Sequence, residues 1–335
     1  INVATTLDFE LDWTDDVLDE QPSRPLRFLP EGGAVVEITA RTLHGFFLLK
    51  PGTRANELIL GVLGHALAQF PQVRLHGFWF LSNHFNLLGF FPNAFIMAAF
   101  MNLFNSCLAR ELGRLYGWKE KFFGRRYRAI VLADSGAQVP RFAYLLSQGT
   151  KEGLVARPDL WPGAKCLGAV LRGERVQGVW VDRTAMYEAR AKKKDVREKD
   201  FETIVDVPLH PLPIWERLPE TERQRRTAEI IDAIERKAES ENRRLRRKPL
   251  GAEKILSQDP HDSPKNFQRT PAPMCHASSR SSFWSFADAY RAFLADYRAA
   301  SRALREGDRD AVDRFPPRCF RPGVGSPPAA ASQAA

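Results

Sequence analysis

QVRLHGFWFL (residues 72–81) and HFNLLGFF (84–91) decide how this chain folds. Both are short, apolar and rich in aromatic residues, the composition of strands buried on at least one face. Only Ser82 and Asn83 separate them. So short a connection closes a hairpin, which makes the two strands antiparallel neighbours. His84 and Asn86 interrupt the apolar run of the second strand. Side chains two apart on a strand share a face, so these two project together while Phe85 and Leu87 project the other way.

The flanking sequence supplies the partners that such a hairpin needs. AVVEITAR (34–41) alternates and is rich in β-branched residues, as a strand should be. ANELILGVLGHALAQF (55–70) sets Leu58, Val62, Leu63 and Leu67 at helical spacing, and Pro71 ends it. Asn93 is placed to cap a helix over 94–116. YRAIVL (127–132) predicts a fourth strand, followed by a helix that begins at about Ser135 or Pro140 and runs to Ser147.

The order strand, helix, strand, strand, helix, strand, helix predicts an α+β fold: a ferredoxin-like antiparallel sheet with helices on one face. Four segments are expected along the chain: an N-terminal arm (1–33), the sheet domain (34–155), an extension carrying a basic helix (156–250), and a last part (251–335). The extension opens with PDLWPGAKCLGAVLRGERVQGVWVDRT (158–184), whose Gly, Pro and Trp content suggests irregular structure packed by large aromatics. A charged helix is expected over 220–247, ending in RRLRRK (243–248). Beyond it lie a polar linker (257–274), a helix over 284–305 and an Ala/Ser/Pro tail expected to be disordered.

Composition narrows the function classes. Among 335 residues, 49 Lys and Arg stand against 40 acidic residues, a net charge of +9 that favours polyanionic partners such as nucleic acid. Cys107, Cys166, Cys275 and Cys319 form no metal-binding or disulfide spacing, which fits a reducing cytoplasm. No stretch reaches the roughly 18 uninterrupted apolar residues of a membrane helix. The acidic segment DFELDWTDDVLDE (8–20) is the opposite of a signal peptide, and the start at Ile1 leads one to expect a further N-terminal piece. A Gly-rich phosphate loop and a Cys/His nucleophile arrangement are both lacking, which argues against a generic metabolic enzyme.

Three places could carry chemistry. His84 and Asn86 could hold a divalent cation through imidazole nitrogen and amide oxygen, or His84 and Asn83 could simply satisfy backbone groups at the start of the hairpin. Tyr144 and Gln148 stand four apart on one helix face. A phenol can attack phosphorus if a metal organises the phosphate, although an amphipathic Tyr packed on the sheet is the simpler account. KFFGRRYRAIVL (121–132) interleaves Arg125, Arg126 and Arg128 with aromatics including Tyr127, which suits phosphate contacts and base stacking. Lys151 is grouped with these nucleic-acid candidates. A charged sheet edge and a solvated helix end are the competing accounts of this segment and of RRLRRK.

Taken together, LHGFWFLSNHFNLL, WKEKFFGRRYRAIVLAD and RFAYLLSQGTKEGLVARPDLWPG, in that order and spacing, resemble the single-tyrosine HUH transposases, in particular the REP-associated branch. The likeness spans about residues 27–190, and CHASSRSSFWSFADAYRAFLADYRAASRALREGDRDAVDRFPPRCFRPG is similar to the C-terminal part of longer members. It implies an HUH endonuclease domain that cuts and rejoins single-stranded DNA beside a hairpin through a 5′-phosphotyrosine intermediate. It also implies a Mg²⁺ or Mn²⁺ cofactor, and a nucleoid-associated protein of a bacterial cytoplasm in which dimers are expected. By position, Tyr144 matches the nucleophile, His84 the first metal-binding His, Phe85 the intervening hydrophobe and Gln148 a third ligand. Asn86 stands where the family has its second His, so nicking is expected to be weakened. The alternatives are a catalytically inactive hairpin-binding protein and an RNA-binding ferredoxin-like module.

Overall fold

The computed structural model describes residues 26–192, 195–265, 272–319 and 321. Most of the expected arm (1–25), part of the linker (266–271) and the Ala/Ser/Pro tail (322–335) lie outside the described residues.

The elements are β1 (Ala34–Arg41), α1 (Thr53–Gln69), β2 (Arg74–Phe80), β3 (His84–Phe91), α2 (Ala94–Tyr116), β4 (Arg128–Leu132) and α3 (Gln138–Leu146). There follow α4 (Leu167–Arg172), β5 (Gln177–Val181), α5 (Arg183–Lys192), β6 (Glu202–Asp206), α6 (Glu220–Arg244), α7 (Ala252–Leu256), β7 (Cys275–His276) and α8 (Arg280–Arg305). The main sheet has the order β2-β3-β1-β4-β7. Its first four strands are antiparallel, as the hairpin requires, and β7 joins β4 in parallel. The sheet is therefore mixed: a two-residue strand from the C-terminal part completes an edge that the sequence left open.

The local causes are plain in α2. Asn93 caps it by accepting a hydrogen bond from the Ile96 N–H at 2.9 Å, and Gly117 ends it in the left-handed conformation (φ 64). Its apolar face meets one side of the sheet: the Phe104 ring packs 5.3 Å from that of Phe85, and Phe100 packs 5.8 Å from Phe91. The other face of the sheet receives α3. Gly77 on β2 makes room there, since a Cβ at that position would lie 2.6 Å from Leu145 Cδ2 and 3.4 Å from Phe142 Cε2.

The stretch at 158–184 is more ordered than its composition suggests. β5 and β6 form a two-stranded antiparallel sheet, joined through α5, that lies on α1. A Cβ on Gly61 would come within 1.9 Å of the Val179 carbonyl oxygen, so the glycines of α1 and β5 permit a backbone approach that no other residue could. The strand partner of β5 lies some 25 residues further on, beyond the reach of local pattern reading. Trp161 packs as expected of a large aromatic, fully buried, with its Nε1 donating to the Phe80 carbonyl at 2.8 Å.

The C-terminal part closes the molecule. The Phe28 ring packs against Phe286, Tyr290 and Phe293 of α8, and Ser278 N–H donates to Asp134 Oδ2 at 2.8 Å just beyond β4. Among the described residues, no helix is long and apolar enough to cross a membrane.

Candidate functional site

Strand register builds the site. Asn86 of β3 lies opposite Thr39 of β1 and Trp79 of β2, and Thr39 lies opposite Arg128 of β4. Directly paired residues share a face, so Trp79, Asn86, Thr39 and Arg128 form one row across four strands. His84 pairs with Arg41 in the next row, and Glu37 stands two residues from Thr39 on the same face. This is the face that α3 covers, which brings Tyr144 and Gln148 to the strand that carries His84.

The contacts within this cluster are specific. Gln148, only 1% exposed, donates through Nε2 to the Tyr144 carbonyl at 3.2 Å and also bonds through its side chain to the His84 ring. The Tyr144 ring lies between two cations: Lys151 Nζ is 3.6 Å from its centroid and the Arg141 guanidinium 4.0 Å. Such contacts over a ring face are each favourable by about 1 kcal/mol. Arg141 is held in turn by Glu37, to which it donates at 2.7 and 2.9 Å, and the His276 ring of β7 stands 2.9 Å from the same carboxylate. Burial opposes the charge on Glu37, yet the bonds from His276 and Arg141 outweigh it and hold the carboxyl below its ordinary range.

His84 is neutral at physiological pH. Burial, with the nearby charges of Arg41 and Lys151, pushes its pKa down to about 4. Its Nδ1 donates to Asn83 Oδ1 at 2.7 Å, which leaves the lone pair on Nε2.

These residues do not make a good cage for Mg²⁺ or Mn²⁺. Asn86, 3% exposed, has its amide oxygen bonded to the Thr39 hydroxyl at 2.7 Å. The polar atoms left without a partner in the central row are Asn86 Nδ2 and Trp79 Nε1, and both are donors, which a cation cannot use. Glu37 is the carboxylate on this face of β1, and Arg141 and His276 occupy it. A hard dication would meet one imidazole, neutral amides, and the like charges of Arg41 and Lys151. Among the described residues, no group of three or more His, Cys, Asp or Glu is arranged to hold a metal. The same surroundings, orphaned donors beside cations, suit an anion.

The remaining predicted residues are dispersed. Arg128 is exposed at the end of the central row, whereas Arg125 and Arg126 lie exposed in the loop before β4. Tyr127 is not free to stack on a base: the Arg27 guanidinium covers its ring at 4.0 Å and donates to its carbonyl. Sequence reading did not single out Arg41, Thr39, Glu37 or Arg141. Arg141 was within reach, being three residues before Tyr144 on one helix face, but the other three enter only through strand register.

No protein-family model matches the chain, and no curated protein matches it. Among solved structures it is similar to a REP-associated tyrosine transposase bound to a REP hairpin, at 14% identity, over 46% of this chain and 87% of that chain, with a TM-score of 0.34. That protein is a distant structural neighbour.

Proposed function

We propose that the face built by β1, β3 and α3 binds a phosphate of single-stranded or hairpin DNA, and that the protein is a DNA-binding protein of the transposase type with Tyr144 as its nucleophile. The observation that carries this reading is the convergence of Tyr144, Lys151 and Arg141 with the neutral His84 and the orphaned donors of Asn86 and Trp79. A phosphodiester is an oxygen-rich anion, and donors and cations fixed around a phenol are what its transfer requires.

In the covalent step the Tyr144 oxygen forms a bond to phosphorus, the bond to the 3′ oxygen breaks, and that oxygen takes up a proton while the phenol gives one to solvent. Arg141 and Lys151 stabilise the developing phenolate, and Lys151 with Arg41 offsets charge on the phosphate. A phosphotyrosine ester keeps the energy of the phosphodiester, so the reverse step rejoins the strand. His84, too weak a base at a pKa of about 4 to take the phenol proton near neutrality, offers a hydrogen-bonding lone pair and not a charge.

The test is to incubate the protein with a randomised library of single strands flanked by a hairpin, and to isolate adducts that survive detergent. Adducts in the wild type that vanish in Tyr144→Phe are expected, together with weaker binding in Lys151→Ala. Binding without adducts would confine the protein to non-covalent DNA binding. Unchanged binding in Lys151→Ala would remove this face from DNA recognition.

A further inference from the structure

The RRLRRK segment at the end of α6 borders an open groove of ≈ 760 Å³. Its cationic lining is Arg157, Arg236, Arg243, Arg246, Arg247 and Lys248. Three acids also line it, two of them in ion pairs: Glu235 lies 3.4 Å from Arg157 and Glu239 lies 2.7 Å from Arg243. Asp232 is the third. Arg236, Arg246 and Lys248 are exposed, and their side chains have no ion-pair or hydrogen-bond partner among the described residues. Arg247 adds a second kind of signal. Its Nε donates to Asn242 Oδ1 at 2.9 Å, yet its buried Nη2 has no partner. A buried guanidinium nitrogen without an acceptor is costly unless something supplies one.

The groove is tied to the Tyr144 face by the chain itself. Residues 147–157 run from the end of α3, past Lys151, to the groove wall at Ala156 and Arg157. Arg247 packs on Gly153 of that segment, where a Cβ would lie 2.5 Å from the guanidinium carbon. Leu250 and Gly251 N–H donate to the Gly153 and Leu154 carbonyls at 3.0 and 2.9 Å. A ligand held in the groove thus bears on the same turn that presents Lys151 to Tyr144.

We infer that this groove is a second phosphate-binding site, which takes the backbone of a duplex DNA stem while the Tyr144 face takes the adjoining single strand. Duplex DNA presents one charge per about 1.7 Å of axis. Arg236 and Arg243 stand seven residues apart on α6, about 10 Å, and Arg246 to Lys248 extend the row, so the cations span several phosphates. The inference rests on the proposed function for the single-strand half and on the groove alone for the stem half.

The test uses the full chain and two fluorescein-labelled probes of mixed sequence: a DNA hairpin with a single-stranded tail, and the tail alone. The variant is Arg236→Gln/Arg246→Asn/Lys248→Gln. Asn is chosen at 246 because that residue has φ 48, a conformation Asn tolerates. Hairpin affinity should fall about tenfold, and the slope of log affinity against log salt should shrink by about 3, while binding of the tail alone stays within about twofold. Unchanged hairpin affinity and salt slope in the folded variant would overturn the inference. If Lys151→Ala leaves tail binding intact while the triple variant still loses the hairpin, the Tyr144 face fails and the groove stands. An RNA hairpin of the same sequence bound as tightly as the DNA would overturn the assignment to DNA.

Discussion

The two faces of the main sheet are made by alternate residues of the same strands, yet they obey different rules. On one, Phe85, Leu87 and Phe91 of β3 pack under α1 and α2 with almost no access to water. On the other, under the short α3, Asn86 and Glu37 are buried and His84, Thr39 and Arg41 half-buried, and most of them bond to named partners. The first face pools many nearly equivalent apolar contacts and the second depends on a few directional ones. Stability should therefore be concentrated on the first and recognition on the second.

The largest effect should follow from breaking the apolar face. Phe104→Ala, which removes a ring edge-on to Phe85 and stacked with Phe100, should lower unfolding free energy by about 4 kcal/mol in urea titrations and leave DNA affinity of the folded fraction unchanged. A loss of affinity larger than the loss of folded protein would show that the faces are not separable.

Glu37→Gln should cost about 3 kcal/mol, because Arg141 loses its buried counter-charge. Unlike Phe104→Ala, it should also reduce any Tyr144 adduct in the folded protein, since Arg141 packs on that ring. A stability change without a change in adduct yield would make Glu37 purely structural.

Acid should sharpen the contrast. The pKa values of His84 and His76 are both pushed down to about 4 by burial, so the unfolded chain takes up protons below its ordinary histidine pKa of about 6.5 while the folded protein does not. That stability is present above the unfolded pKa and is lost as pH falls toward 4. Each histidine should account for about 2 kcal/mol of loss between neutrality and pH 5. Urea midpoints at the two pH values measure it, and His84→Gln should shrink the decline. An undiminished decline in that variant would place the cause elsewhere.

The smallest effect on stability should come from Asn86→His, under about 1 kcal/mol if the imidazole bonds Thr39 as the amide does. Its value is chemical, since it provides the second imidazole that a dication requires. Mn²⁺ should then raise the thermal midpoint of the variant and not of the wild type. An equal shift in both would show that the cation binds independently of position 86.

Much of this architecture was legible in the chain. The two-residue spacer at Ser82 and Asn83 fixed the hairpin, Asn93 marked the start of α2, and the pairing of His84 with Asn86 on one face followed from strand periodicity. The tail-end strand β7 was not legible, because two residues carry no periodic signal and their partner lies more than 140 positions away. β5 and β6 are longer, but α5 stands between them, so no short turn marks the pair as a hairpin.

What the sequence determined by itself was therefore local: which residues are helical or extended, which alternate side chains share a face, and that Tyr144 and Gln148 stand one helical turn apart. Only the tertiary structure decided that Thr39 occupies the amide of Asn86, that Glu37 and His276 hold Arg141 over Tyr144, that burial, aided by Arg41 and Lys151, keeps His84 neutral, and that Arg27 takes Tyr127 out of reach. The physical reason is that helix and strand periodicities act over a few residues, whereas hydrogen bonds and charges act through space between segments whose register the chain fixes only when it folds.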